Sequence, residues 1–136
     1  MDKKSSMWRA TLVWLILIVV LAFFLRPNRA VTALADNGCL IVTGASGYTV
    51  EIHYDKIESA ELRESMDFGR LVDGTDENHE KSGTWENSEF GLYQLCVSSK
   101  IPSCIVMRTE EGIYAVNYES TKSTQSLYEA LLQQIP

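Results

Sequence analysis

The sequence predicts an N-terminal transmembrane helix followed by one mainly-β domain that ends in a single α-helix. Three observations support this fold class. An uncharged apolar run occupies residues 10–25, short segments beyond it alternate between apolar and polar residues, and residues 121–135 carry apolar side chains at helical spacing. The chain has 136 residues, which leaves room for one domain.

The apolar run is flanked by Arg9 and Arg26. As a helix it would be about 24 Å long, somewhat shorter than a hydrocarbon core of ~30 Å. Both arginines can extend their charged ends to the interface, and Trp8 suits the headgroup region. We therefore predict a transmembrane anchor over residues 9–26, preceded by a polar tail at residues 1–8.

Two features of the N-terminal region bear on location. Lys3, Lys4 and Arg9 precede the apolar run, and Arg26 and Arg29 follow it. This excess of three over two favours a single-pass protein of the cell membrane with its N-terminus inside and its domain outside. Residues 27–38 would form a linker that ends in the turn signal Asn37-Gly38. The alternative is a leader cleaved after Ala35, because Ala33-Leu34-Ala35 has the small-x-small form of a peptidase site.

The remainder of the chain is acidic. From Asp36 onwards, seven Lys and Arg stand against seventeen Asp and Glu, so the formal charge is 7 − 17 = −10. Such a surface repels nucleic acid, which we exclude as a partner. Phosphoinositide binding is also disfavoured, because Lys56 and Arg63 on the early strands lie among acidic residues.

One short stretch, Thr43-Gly44-Ala45-Ser46-Gly47, resembles the start of a nucleotide-binding loop. That loop requires a later glycine and then a helix, yet residue 50 is a valine and residues 48–55 alternate with a period of two. We therefore predict a hairpin turn here and no bound cofactor.

The alternating segments predict about seven strands, at residues 39–43, 48–55, 57–64, 69–72, 90–98, 103–108 and 113–117. The last three are predicted to form a meander. The polar stretch between Val72 and Phe90 is predicted to be a loop, and the alternative is a loop with short edge strands around Trp85. A final helix over residues 121–135 carries a wide apolar stripe, which needs the sheet to cover it.

Five segments, in this order, resemble one known family: residues 55–59 (DKIES), 82–93 (SGTWENSEFGLY), 104–109 (CIVMRT), 114–117 (YAVN) and 124–128 (TQSLY). They are similar to the bacterial pleckstrin-homology-like (PH-like) domain of small membrane-anchored proteins. The resemblance covers about residues 39–135. It implies an antiparallel PH-like barrel of about seven strands capped by one C-terminal α-helix. It also implies membrane association, and it brings no catalytic residues.

The residues offer no recognisable catalytic or metal site. Ser46 lies one residue short of a nucleophile-elbow pattern and has no helix behind it. The densest group of possible ligands does not follow the calcium-loop pattern; it consists of Asp73, Asp76, Glu77, His79 and Glu80. We therefore expect no enzyme activity, no metal and no cofactor.

The three cysteines, Cys39, Cys96 and Cys104, have no zinc-site spacing. Cys96 and Cys104 flank a predicted turn, so they could face each other across two strands at a separation that a disulfide can bridge. The alternative is a pair of buried thiols.

Four residues, Trp85, Asn87, Phe90 and Tyr93, are candidates for an interaction surface, where a peptide or a second subunit could add to an open strand edge. The alternative for the aromatic residues is core packing. The expected function is a membrane-anchored, non-enzymatic module for protein–protein interaction or self-assembly near the bilayer. The alternative function is a ligand-sensing module for a lipid, a wall fragment or a divalent cation, using the acidic loop at residues 73–89.

Overall fold

A computed structural model of the chain describes residues 3–24, 31–36 and 38–135. Its mainly-β domain ends in an α-helix, as predicted. The elements, in chain order, are α1 (Lys3–Phe24), β1 (Val31–Asp36), β2 (Cys39–Gly44), β3 (Thr49–His53), β4 (Ile57–Arg63), β5 (Arg70–Glu77), β6 (Glu80–Asn87), β7 (Gly91–Ser98), β8 (Cys104–Thr109), β9 (Gly112–Val116) and α2 (Thr121–Leu132).

The strands of the described residues form two sheets. The smaller is an antiparallel sheet of β1, β2 and β3, and the larger has the order β4-β8-β9-β7-β6-β5. In the larger sheet β9 lies between β8 and β7, antiparallel to β8 and parallel to β7. The predicted meander of the last three strands is therefore wrong, because β7 and β8 are not neighbours.

The first core lies between the two sheets and α2. Apolar side chains that alternate along β2 and β3 point into it, and Leu131 of α2 is buried with them. Each fully buried aliphatic side chain of this kind stabilises the fold by about 1.5–3 kcal/mol. The buried members of this core are Leu40, Val42, Val50, Ile52, Ile57, Cys96, Ile105, Met107, Val116 and Leu131.

A second core includes residues on the other face of the larger sheet. Leu95 and Val97 belong to it, whereas Cys96 between them belongs to the first core, because successive side chains of a strand point to opposite faces. Met66 and Phe68, from the connection between β4 and β5, pack against this second core. Burial on both faces explains why β7 and β8 are apolar over several consecutive residues.

The helix α2 begins where its sequence provides a cap. The hydroxyl of Ser120 accepts a hydrogen bond from the amide of Ser123 at 3.0 Å. The helix ends at Leu132, before the predicted end at residue 135. Just before α2, the buried side-chain amide of Asn117 donates to the carbonyl oxygens of Ser98, Ile101 and Ser103, so it holds the connection between β7 and β8.

Two segments predicted to lack regular structure are strands. Most of the predicted loop at residues 73–89 belongs to the hairpin of β5 and β6, so that prediction is wrong. Gly74 and Gly83 face each other in this hairpin, and a Cβ atom on Gly74 would collide with the carbonyl oxygen of Ser82. The glycine pair therefore permits a close approach of the two backbones.

The predicted linker at residues 27–38 contains strand β1, which pairs with β2 through a turn at Gly38. Residues 25–30 and 37 lie outside the described residues. The peptidase-site residues Ala33-Leu34-Ala35 lie within β1, in register with Leu40 to Val42 of β2.

The structure contradicts the predicted transmembrane anchor. In the part of the chain that the structure describes, no helix has both the length and the apolar character needed to cross a membrane. Helix α1 includes Lys3, Lys4 and Arg9, and its uncharged part, residues 10–24, is about 22 Å long against the ~30 Å of a hydrocarbon core. The predicted span at residues 9–26 is therefore wrong, as are the single-pass topology and the cell-membrane location derived from it.

Candidate functional sites

The four residues predicted to form an interaction surface lie mostly in the interior. Trp85 and Tyr93 are each 2% exposed and belong to the second core, and Asn87 is also buried. Phe90 is half-buried and makes an edge-on contact with Tyr93, at 5.4 Å between ring centroids. The structure therefore supports the alternative of core packing for these aromatic residues.

The predicted disulfide is not formed. Cys96 and Cys104 are buried thiols on strands that do not pair, and they belong to different cores. Burial raises the pKa of each thiol to about 12. The alternative prediction of two buried thiols is confirmed.

The acidic residues between positions 73 and 80 are divided between two environments. Asp73, Asp76 and Glu77 are exposed on β5, where Asp76 accepts a hydrogen bond from Lys81 Nζ at 2.9 Å. Glu80, the first residue of β6, is buried. These carboxylates therefore do not form one exposed ligand-binding loop.

The carboxylate of Glu80 is held by the glycine-containing turn between β2 and β3. The amide of Ser46 donates to Oε1 at 2.8 Å, and the Ser46 hydroxyl donates to Oε2 at 2.5 Å. Ser82 donates a third hydrogen bond at 2.6 Å. The predicted hairpin turn is thus confirmed. Its polar groups bind the side-chain carboxylate of Glu80.

The contact with this turn affects the pKa of Glu80 and places its carboxylate close to Gly44. Burial raises the pKa of Glu80, but the hydrogen bonds from Ser46, Ser82 and the amide of Ala45 lower it by more, so the pKa lies below its ordinary value. A Cβ atom on Gly44 would lie 2.6 Å from Glu80 Oε2. A side chain at position 44 would push the carboxylate away from its hydrogen-bond donors. The contact joins β6 of the larger sheet to the smaller sheet.

A charged cluster surrounds the half-buried ring of Phe90. Arg63 donates two hydrogen bonds to Glu89, at 2.6 and 2.7 Å, and its guanidinium carbon lies 5.2 Å from the centroid of Phe90. The guanidinium carbon of Arg108 lies 5.4 Å from the same centroid. Glu61 also accepts a hydrogen bond from Arg63 at 3.2 Å. Because carboxylates already neutralise Arg63, this cluster is poorly suited to binding a further anion.

An open cavity of about 480 Å³ lies beside the N-terminal end of α2. Two of its lining residues, Leu62 and Pro102, are apolar, and the others, among them Ser103, are polar or charged. Among the described residues, the Ser103 hydroxyl is the buried side-chain polar group without a hydrogen-bond partner. The residues that line the cavity are Leu62, Arg63, Glu64, Pro102, Ser103, Thr121 and Gln125.

The outer edge of β5 is an unpaired strand edge within the described residues. β5 hydrogen-bonds to β6 on one side and is the last strand of the larger sheet. Its pairing with β6 shifts register at Val72 and is regular from Asp73 to Glu77. All eight residues are exposed apart from the half-buried Thr75. The sequence predicted a strand only at residues 69–72, the beginning of this edge, because β5 has no buried face to create an apolar period.

Comparisons of the chain with protein-family models, with curated proteins and with solved structures found no match. The resemblance to PH-like domains therefore stays a prediction, with which the observed mainly-β fold and C-terminal helix are compatible.

Proposed function

We propose that this domain is a non-enzymatic protein-interaction module that binds an extended, basic segment of a partner protein along the outer edge of β5. The observation that carries the proposal is the regular, exposed edge at residues 73–77, which no strand of the described residues pairs with. Backbone N–H and C=O groups on such an edge can hydrogen-bond to an added strand.

The charge of β5 supports a basic partner. The strand carries Asp73, Asp76 and Glu77 against Arg70, a formal charge of 1 − 3 = −2. The acidic composition of the domain adds a long-range attraction for a positively charged segment. The exposed side chains of Leu71 and Val72 offer an apolar contact at one end of the same edge.

The other described edges suit an added strand less well. β4, at the opposite edge of the larger sheet, has α2 packed near it. β1 and β3, the two edges of the smaller sheet, have six and five residues, whereas β5 has eight. The length and exposure of β5 therefore favour it as the binding edge.

A synthetic peptide of alternating lysine and valine tests the proposal. We expect it to perturb the backbone amide NMR signals of residues 73–77, and we expect Glu77→Lys to weaken binding about tenfold through charge repulsion. The matched control is Glu129→Lys, an exposed change on α2 that should leave binding almost unchanged. Equal weakening by both variants, or perturbations confined to other strands, would overturn the proposal.

Self-assembly is a distinct outcome of the same experiment. If two copies pair through β5, the free protein should sediment as a dimer at high concentration, and Glu77→Lys should change its dissociation constant. A chain that stays monomeric and binds the peptide would support a separate partner protein.

A second candidate function is binding of a small molecule in the cavity beside α2. Its volume of about 480 Å³ falls in the ~300–1,000 Å³ range of small-molecule sites. The lining places the apolar Leu62 and Pro102 beside polar and charged residues, which favours a ligand that carries both apolar and polar groups. Ligand-observed NMR with a fragment library should give hits that Gln125→Trp abolishes and Gln134→Trp, farther along the chain, leaves unchanged. Hits that are indifferent to Gln125→Trp would rule this function out.

A further inference from the structure

A thiol, a carboxylate and an imidazole converge at one end of the smaller sheet. Cys39 begins β2 and His53 ends β3, and the two residues lie directly opposite each other in the antiparallel register. Glu51 precedes His53 by two residues and therefore shares its face of the sheet. One ligand atom from each of the three side chains lies within 4.8 Å of the other two.

One of the three distances matches a tetrahedral metal site, and the other two are within 4.8 Å. Zinc bonds of ~2.0–2.3 Å to sulfur, nitrogen and oxygen place neighbouring ligand atoms roughly 3.3–3.6 Å apart. Glu51 Oε1 and His53 Nε2 are already 3.5 Å apart. Both side chains are about half exposed, at 55% and 51%, so small rotations about their side-chain bonds can bring them nearer to the Cys39 sulfur.

The types of ligand select the class of metal. A thiolate and an imidazole suit zinc and related transition metals, whereas calcium and magnesium prefer sites built entirely from oxygen. One thiolate and one carboxylate together balance the charge of a divalent ion. We propose that Cys39, Glu51 and His53 bind one Zn²⁺ ion per chain, with a water molecule in the fourth position.

The neighbouring carboxylate of Glu111 is already bound by another side chain. Glu111, on the turn between β8 and β9, lines the same small cleft as Glu51 and His53. Its carboxylate, however, accepts a hydrogen bond from Lys56 Nζ at 2.6 Å. Glu111 is therefore excluded from the proposed ligand set and provides a nearby control. The site lies on the smaller sheet, away from the edge of β5 in the sheet order.

Titration of the reduced, metal-free full chain with zinc chloride tests the proposal by calorimetry. We expect a stoichiometry of one zinc per chain at micromolar affinity. His53→Gln and Glu51→Gln should each weaken binding by more than about tenfold, since even loss of an outer-shell partner costs ~10–100-fold. Because both residues are exposed, these variants should remain folded, which circular dichroism checks. His79→Gln and Glu111→Gln are the controls and should bind zinc as the unaltered chain does.

Cobalt(II) provides a separate readout of the sulfur ligand. The Co²⁺-loaded chain should show a thiolate-to-cobalt charge-transfer band, which Cys39→Ser removes and Cys96→Ser retains. The proposal is overturned if the unaltered chain binds no zinc, if the control variants weaken binding as much as His53→Gln does, or if the cobalt spectrum lacks the thiolate band.

Discussion

Glu80 on β6 and Ser46 in the turn between β2 and β3 are joined by two hydrogen bonds, of 2.8 and 2.5 Å, although 34 positions separate them in the sequence. This contact links the two sheets through a buried charge rather than through apolar packing alone. A buried carboxylate is tolerated when hydrogen bonds replace its hydration, and donors from Ser46 and Ser82 supply them here. The contact is therefore expected to matter for stability.

Glu80→Ala should lower the free energy of unfolding by about 2–4 kcal/mol, because it leaves the donors of Ser46 and Ser82 without their acceptor. Urea denaturation measures this change. The matched control is Glu86→Ala, which removes an exposed ion pair with Arg70 and should cost less than about 1 kcal/mol. Equal effects of the two variants would show that the buried contact contributes no more than a surface pair.

The same carboxylate should make stability depend on pH. The pKa of Glu80 is lowered from its ordinary value of 4.5, so its contribution is complete above about pH 4.5 and is lost as the pH falls through the lower folded-state pKa. Urea midpoints measured between about pH 6 and pH 3 should fall less steeply for Glu80→Gln than for the unaltered chain. Parallel curves for the two proteins would contradict this assignment.

Gly44→Ala should destabilise the fold, because the added methyl group would lie 2.6 Å from Glu80 Oε2. We expect a cost of about 1–3 kcal/mol, which is typical of overpacking. The matched control is the same change in a Glu80→Ala background, where the obstacle is gone and the cost should largely disappear. A cost that persists in the double variant would place the strain elsewhere.

Cys96 and Cys104 should resist alkylation in the folded protein. Both thiols are buried and have pKa values of about 12, so little thiolate exists at neutral pH. Iodoacetamide labelling followed by mass spectrometry should modify them slowly in buffer and rapidly in concentrated urea. A non-reduced peptide containing both cysteines linked together would show instead that they form a disulfide.

The sequence predicted those elements whose residues alternate between a buried and an exposed face. β3 is one example, since Val50 and Ile52 are buried between exposed neighbours. The predicted strand at residues 69–72 covers only the first part of β5, because β5 is exposed along nearly its whole length. β6 was predicted as no more than short edge strands around Trp85, because polar residues such as Ser82 lie inside it. Periodicity cannot identify a strand whose exposed and buried residues do not differ in polarity.

The order of the strands was missed for a different reason. Strands adjacent in sequence usually pair, and the meander prediction relied on that tendency. In the structure β9 pairs with both β8 and β7, a topology for which the local sequence carries no signal.

The close approach of Cys39 and His53 could have been predicted from the sequence. A hairpin turn centred on Ser46 sets these two residues opposite each other, but linear zinc-site spacings cannot reveal a cross-strand pair.

Backbone hydrogen exchange along β5 tests the central functional claim most directly. In the free protein, amides on the outer edge of residues 73–77 should exchange rapidly, because they have no partner strand. On addition of the lysine-valine peptide, alternate amides of this segment should become protected, as pairing with an added strand requires. Saturable binding of the peptide with no new protection in β5 would contradict the proposal that this edge is the binding site.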